Sequence, residues 1–233
     1  MKTSLSMNLF KCRSKSFHSK LDDEPLICNT PFGKLFFQLT CNDKEVFFLS
    51  PRETYSHKSA IISSWRLEGC EVEFFRADFT PKIPAHMSVN YCTAGIWRIK
   101  SIFSNLKLDF RTFIEHGLNI LNTDGESGEG LTSFLCENNQ FKLSIGTEDE
   151  EYLASRASLQ KWMPQRFRNI FLNNLIVECM SNGLKVDLPP LNINETVQIQ
   201  FVIAWSSKEN YSESTWFAVD ASADYILKLF GIS

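Results

Sequence analysis

No stretch of the 233 residues approaches the roughly 18 consecutive apolar positions that a membrane-crossing helix needs. The longest apolar runs have the length of strands, and a transmembrane helix is excluded. The cysteines are not clustered. The seven, Cys12, Cys28, Cys41, Cys70, Cys92, Cys136 and Cys179, are odd in number and contain no CxxC pair. A secreted disulfide framework favours an even count and a structural zinc site favours closely spaced ligands, so neither is expected and no metal is assigned. Reduced, mostly buried thiols in a cytoplasmic protein are the expectation. The sequons Asn194-Glu195-Thr196 and Asn210-Tyr211-Ser212 matter only in a secreted chain and are discounted.

Glycine is scarce and its spacing excludes further chemistry. Asn122 to Gly130 (NTDGESGEG) is the single Gly-rich stretch. Gly125, Gly128 and Gly130 match neither GxGxxG nor the phosphate loop GxxxxGK[ST], and Ser127 does not sit in a GxSxG elbow. Asp124, Glu126 and Glu129 lack the oxygen ladder and sixth-position glycine of a calcium loop. The stretch reads as a connecting loop, and no cofactor is expected. Histidine, the side chain whose ordinary pKa lies nearest neutrality, occurs only four times, as His18, His57, His86 and His116.

Charge is slight overall, with a formal net of −3, but unevenly spread. Residues 1–20 hold Lys2, Lys11, Arg13, Lys15 and Lys20 and no acid, which leaves the remainder with 19 basic against 27 acidic residues, or −8. The start reads as a flexible basic arm over residues 1–24, an organelle-targeting segment being the alternative. The acidic remainder offers no broad surface for releasing phosphate counterions, so nucleic acid is not an expected partner. Lys161 to Arg168 (KWMPQRFR) has cations and rings suited to phosphates and bases, but its simpler reading is a solvated helix end, with partner binding second.

What is abundant is aromatic: 20 Phe and five Trp. The strongest local pattern is Leu184 to Asp220. There Val197, Ile199, Phe201 and Ile203 alternate with Gln198, Gln200, Val202 and Ala204, the period of a strand, with solvent expected on the glutamine half of the second face. Ser181-Asn182-Gly183 joins Leu175 to Met180 and Leu184 to Leu188 as a hairpin, and Pro189-Pro190 is expected to end the second strand. Ser214 to Val219 reads as a last strand, followed by a helix to Phe230 capped by Asp220 or Ser222. Further strands are expected at Gly33 to Thr40 paired with Lys44 to Ser50, at Cys70 to Phe79, and at Met87 to Cys92 and Ile96 to Phe103 with Thr93-Ala94-Gly95 between. Thr132 to Cys136 and Phe141 to Ile145 form another hairpin. Helices are expected from Ser56 to Gly69 on Ile61, Ile62 and Trp65, from Phe110 to Leu121, after Glu148 to Glu151, and from Pro164 to Phe171. The sum is an α+β fold, mainly antiparallel β-sheet, sandwich-like or two-sheet, with several packed helices. It is expected as a single domain over residues 25–233 with similar hairpin-helix-strand halves at 33–122 and 130–233.

The functional expectation is an intracellular binding or accessory protein recognising a small apolar or aromatic ligand or a protein partner. Trp205 and Trp216, at strand ends beside the polar loop Ser206 to Glu213, and Trp97 are the candidate ligand-binding rings. The alternative is a cofactor-independent acid/base enzyme, an isomerase, cyclase or hydrolase, with His116, Asp220, Asp78 and Glu148 as candidate titrating groups. A Glu115-His116 dyad is rejected, because adjacent helical residues point about 100° apart. The sequence leaves the oligomeric state open and does not decide whether the protein is an enzyme.

Overall fold

The computed structural model describes residues 24–46, 49–115, 120–210 and 213–232. Every strand pairing is antiparallel, and the strands form two sheets. The smaller contains β1 (Ile27–Thr30), β2 (Gly33–Cys41), β8 (Leu106–Ile114), β13 (Gly183–Leu191) and β12 (Val177–Met180) in that order, with β3 (Lys44–Glu45) on the end of β2. The larger runs β4 (Glu53–His57), β5 (Ala60–Leu67), β6 (Cys70–Asp78), β7 (Tyr91–Ser101), β14 (Thr196–Ser207), β11 (Phe141–Glu148), β10 (Leu131–Glu137) and β9 (Asn122–Gly128). The helices are α1 (Glu150–Ser158), α2 (Arg168–Phe171) after a 3₁₀ turn at Gln165–Phe167, α3 (Ser214–Val219) and α4 (Ala223–Phe230). At 9, 4, 6 and 8 residues they are short, so the packed helices anticipated from sequence shrink to a partial cover on a sandwich of sheets.

Between the sheets lies an aromatic core. Phe37 of β2 meets Phe74 of β6 at 5.3 Å between centroids, Phe74 meets Trp97 of β7 at 4.3 Å, and Trp97 meets Trp65 of β5 at 6.2 Å. Gly95 allows this approach: a Cβ there would stand 2.5 Å from Phe37 Cε1 and 2.8 Å from Phe74 Cζ. That is why Thr93-Ala94-Gly95, expected to interrupt two strands, lies inside the single strand β7. The outer face of the larger sheet is covered as well. Ala218 and Val219 of α3 and Ile226, Leu227 and Phe230 of α4 pack on Ile62, Phe75, Ile96, Val202 and Ala204. With both faces covered, Gln198 and Gln200 of β14 are buried rather than wetted, which corrects the expectation of solvent there.

Two-sided burial also explains the misread helices. The Ser56–Gly69 segment contains β4 and β5, not a helix. In β5, Ile62 faces the helical cover and Trp65 the inter-sheet core, so apolar residues of both parities occur and mimic a helical face. The segment read as a helix from Phe110 is β8 to Ile114, with Leu106, Leu108, Phe110, Thr112 and Ile114 pointing inward. Its opposite face carries Phe113, stacked on Phe36 at 5.6 Å, and Asp109, bound to Arg111 and Lys185. Asp109 is thus a cross-strand ion-pair centre.

Ser214–Val219 is a helix, not a final strand. β14 already has β7 on one side and β11 on the other, so no sheet edge is free beside it. The hexapeptide instead buries Ser214, Thr215, Ala218 and Val219, a helical stripe, and Gly146 leaves room for Val219 by lacking a Cβ that would come within 2.8 Å. Asn122–Gly128, read as a loop, is the wholly exposed edge strand β9. β13 continues past Pro189-Pro190 to Leu191 with a register shift after Leu188, because β12 pairs only with its first part and needs no donor from the prolines. The β2–β3 hairpin forms, but β3 is two residues long, and Phe47 and Phe48 lie outside the described residues.

Other expectations hold. β12 and β13 form the hairpin around Ser181-Asn182, and β10 and β11 form the one around Asn138-Asn139. Asp149 caps α1 by accepting from Tyr152 N at 2.9 Å. Ser222 caps α4, which stops at Gly231 with φ 69°. Among the described residues no helix is long and apolar enough to cross a membrane.

Candidate functional site

A cleft of about 280 Å³ opens where the larger sheet meets its helical cover. Its walls come from the β9–β10 turn (Glu129, Gly130), the start of α1 (Tyr152), the end of α3 and the α3–α4 connection (Phe217 to Ser222) with Tyr225, and Pro81-Lys82. Glu148 at the end of β11 and Gln200 of β14 also line it. The corner is held by Asp149. Its Oδ1 caps α1, its Oδ2 accepts from Gly130 N at 3.1 Å, and its own N donates to Gly130 O at 3.0 Å. The turn and the helix start are thereby fixed together, and Tyr152 lies against Gly130, whose φ of 90° a side chain would disfavour.

Gln200 is 4% exposed and supplies the most telling polar atom. Its Nε2 donates to Ala221 O at 2.8 Å. A carbonyl can only accept, so this bond fixes the orientation of the amide and leaves Oε1, which has no partner. A buried acceptor left unpaired costs on the order of 1–3 kcal/mol, and such atoms mark places where a ligand or an ordered water completes the bonding.

The carboxylates around it are perturbed. Glu148, almost wholly buried, forms an ion pair with Arg156. Burial still outweighs that guanidinium and raises the Glu148 pKa, with Asp224 and Asp149 adding repulsion. Burial raises Asp220 too, helped by the charge of Glu129. The Tyr152 phenol is raised by burial and then by Glu148. Lys82 is the cleft's cation. The site therefore offers acceptors in excess of donors beside the rings of Phe217, Tyr152 and Tyr225.

The structure thus brings Asp220 and Glu148, two of the candidate titrating groups, into one cleft. Asp78 is elsewhere, on a more open depression of about 500 Å³ lined by Phe79 to Pro81 and Ser88 to Cys92. There the Tyr91 hydroxyl donates to Asp78, and Tyr91 stacks on Trp205 at 4.2 Å. Trp216 packs edge-on to Phe217 at 5.3 Å, on α3 rather than at a strand end. Trp97 is fully buried between the sheets. The three tryptophans are therefore not gathered at one place. His116 and His18 lie outside the described residues; His57 Nε2 sits 3.1 Å from Phe230 O.

The cationic patch is largely consumed internally. Lys161 pairs with Asp224 at 3.6 Å, Arg166 with Glu195 at 2.6 Å, and Trp162 lies under the Arg98 guanidinium at 4.4 Å. The segment ties the α1–α2 region to β7, β14 and α4. Among the described residues no group of three or more His, Cys, Asp or Glu is placed to hold a metal ion. Burial raises the thiols of Cys28 to about 11 and Cys136 to about 12 and pushes Cys92 higher still, so packed thiols describe them better than nucleophiles. Gln200, Tyr152, Tyr225, Phe217 and Arg156 were not singled out from sequence. The available signal was a pair of glutamines inside an otherwise apolar strand, which has the same pattern as a wetted face.

Two antiparallel sheets packed face to face, with short helices covering one outer face and a cleft at that cover, define a β-sandwich with a lateral site. This architecture hosts many unrelated functions. No family model matches the chain, and no curated protein matches it. Among solved structures it is similar to a chain named as a candidate kojibiose phosphorylase from human microbiome, with a TM-score of 0.50 at 6% identity over 85% of this chain. The likeness concerns the fold alone. This chain spans 27% of that neighbour's length.

Proposed function

We propose that the protein is a binding module whose cleft over Gln200 takes a small ring compound with an apolar face and hydrogen-bond donors on its rim. The observation that carries this reading is the unpaired, buried Gln200 Oε1 among the Glu129, Glu148 and Asp220 carboxylates and the Phe217 and Tyr225 rings. Donors from a ligand would complete the acceptors, and ring faces would cover its apolar side. The free thiols suit a cytoplasmic setting.

Native mass spectrometry of gently purified protein, followed by titration with chosen probes, tests the reading. Kojibiose, the compound in the neighbour's name, and tryptamine carry donors; indole-3-acetate, which presents a carboxylate, is the comparator. Binding of a donor-bearing probe is expected, with loss of at least tenfold in affinity in Gln200→Leu while circular dichroism stays unchanged. Unchanged affinity in a folded Gln200→Leu, or no ligand and no probe bound, refutes the site. A clean mass at a dimer with an empty cleft would favour a protein partner instead.

A second reading is favoured by one observation: Asp220 and Glu148, both raised by burial, share a cleft with Tyr152. That is the arrangement of an acid/base enzyme without cofactor. It requires turnover of the bound compound, abolished in Asp220→Asn with binding retained. A ligand recovered unchanged after long incubation rules it out for that compound.

A further inference from the structure

Cys41 and Cys70 sit on opposite sheets, yet their sulfurs are 3.8 Å apart. Cys41 is the last residue of β2, just before Asn42-Asp43, and Cys70 is the first of β6, just after Gly69. These turns lie side by side. Lys44 Nζ reaches Glu68 at 3.2 Å in a pair left 69% and 79% exposed, and a Cβ on Gly69 would lie 3.9 Å from Asn42 Nδ2. Cys41 and Cys70 are 3% and 0% exposed, and Gly69 is buried too, while Asn42, Asp43 and Glu68 of the same turns face solvent. Access of a small oxidant to these sulfurs would need local opening of the two turns rather than separation of the sheets.

We propose that Cys41 and Cys70 form a disulfide on two-electron oxidation by a peroxide, stapling the two sheets at this edge of the sandwich. A disulfide needs its sulfurs about 2.05 Å apart, roughly 1.8 Å closer than they stand, a gap that side-chain rotation and a small shift of the turns can close. The hydrogen bond with Cys41 lowers the pKa of the Cys70 thiol, while that contact and burial raise Cys41. The Cys70 thiolate attacks one peroxide oxygen: the S–O bond forms, the O–O bond breaks, and the departing hydroxide takes up the proton Cys70 released. Cys41 sulfur then attacks the sulfenic sulfur, the S–S bond forms, and the S–O bond breaks as water leaves with the Cys41 proton. Two thiols lose two electrons and two protons, and the peroxide becomes two waters.

The other described cysteines supply the contrast. Cys28, Cys92 and Cys136 are buried, and Cys179 is exposed, at the smaller sheet's edge strand β12. Cys179, the exposed one, is expected to oxidise or alkylate most readily. The staple closes a loop between positions 29 apart. In the chain-entropy account this corresponds to a rise in melting temperature of roughly 7–14 °C for a chain of this size.

The test treats the full chain with hydrogen peroxide, blocks free thiols, and maps tryptic peptides without reduction. Peptides 35–44 and 67–76 are expected as one cross-linked species, with an intact-mass loss of about 2 Da relative to the reduced chain and a higher melting temperature that dithiothreitol reverses. Cys179→Ser should keep the cross-link, and Cys41→Ser should abolish both the link and the thermal shift. Should Cys41→Ser fail to fold, the wild-type peptide map decides. Recovery of Cys41 and Cys70 as free thiols from folded protein whose Cys179 has been oxidised would overturn the proposal. So would a 41–70 link that leaves the melting temperature unchanged.

Discussion

Replacing Arg156 by Met tests how the cleft is supported. Arg156 lies on α1, pairs with Glu148 at the end of β11, and directs Nη2 toward Lys161 O at 3.3 Å. The paired side chains are 9% and 7% exposed, so removing the guanidinium leaves a carboxylate with little access to water. Breaking one side of such a buried pair costs about 3–5 kcal/mol, whereas replacing both partners by apolar groups is often neutral. For a chain of this size that corresponds to a melting temperature lower by roughly 6–20 °C. Glu148→Leu/Arg156→Met should recover to within about 1 kcal/mol of the parent. The cost should also depend on pH. Burial already raises the Glu148 pKa in the folded chain, and loss of Arg156 raises it further. The folded chain then keeps a proton where the unfolded chain, near its reference value of about 4.3, has lost it. The penalty is therefore absent below the unfolded pKa and grows as pH rises through the folded one. Urea unfolding at pH 4.5 and pH 7 measures both effects. A single-variant cost under about 1 kcal/mol at pH 7, or an equal cost at both pH values, would refute a buried charge as the cause.

Gly95→Ala places a Cβ 2.5 Å from Phe37 Cε1 and should destabilise by about 1–3 kcal/mol. Phe37→Leu should absorb part of that cost, so denaturation of the pair should reveal less than the sum of the singles. If Asp220 accepts a donor from the ligand, affinity for tryptamine should strengthen as pH rises through its raised pKa, because only the ionised carboxylate accepts freely. Calorimetric titration between pH 4 and 8 should show that rise, and Asp220→Asn should flatten it.

The secondary structure was legible where burial was one-sided or turn chemistry was explicit. The Asn138-Asn139 and Ser181-Asn182 hairpins, the helix start among the acids Glu148 to Glu151 and the Ser222 cap act through neighbours in sequence, and each appears as read. β5 and β8 were not legible. Trp65 and Ile62 on opposite faces, and Phe110 and Phe113 likewise, give the spacing of a helix whenever both faces of a strand find cover. For the site, Asp220 and Glu148 were named as titrating groups and do share a cleft, but Asp78, named on the same grounds, lies apart, as does Trp97, named as a ligand-binding ring.

The sequence by itself determined that the chain is mainly antiparallel sheet with an aromatic interior, because alternation, turn residues and caps are local properties of the backbone. Tertiary structure alone decided which strands are covered twice, that STWFAV is a helix for want of a free sheet edge, and that Gln200 is buried with an unpaired oxygen. It also decided that Cys41 and Cys70, far apart in the chain, meet across the sheets. Each depends on which distant segment lies against a given face, and residues separated by tens of positions carry no periodic record of that contact.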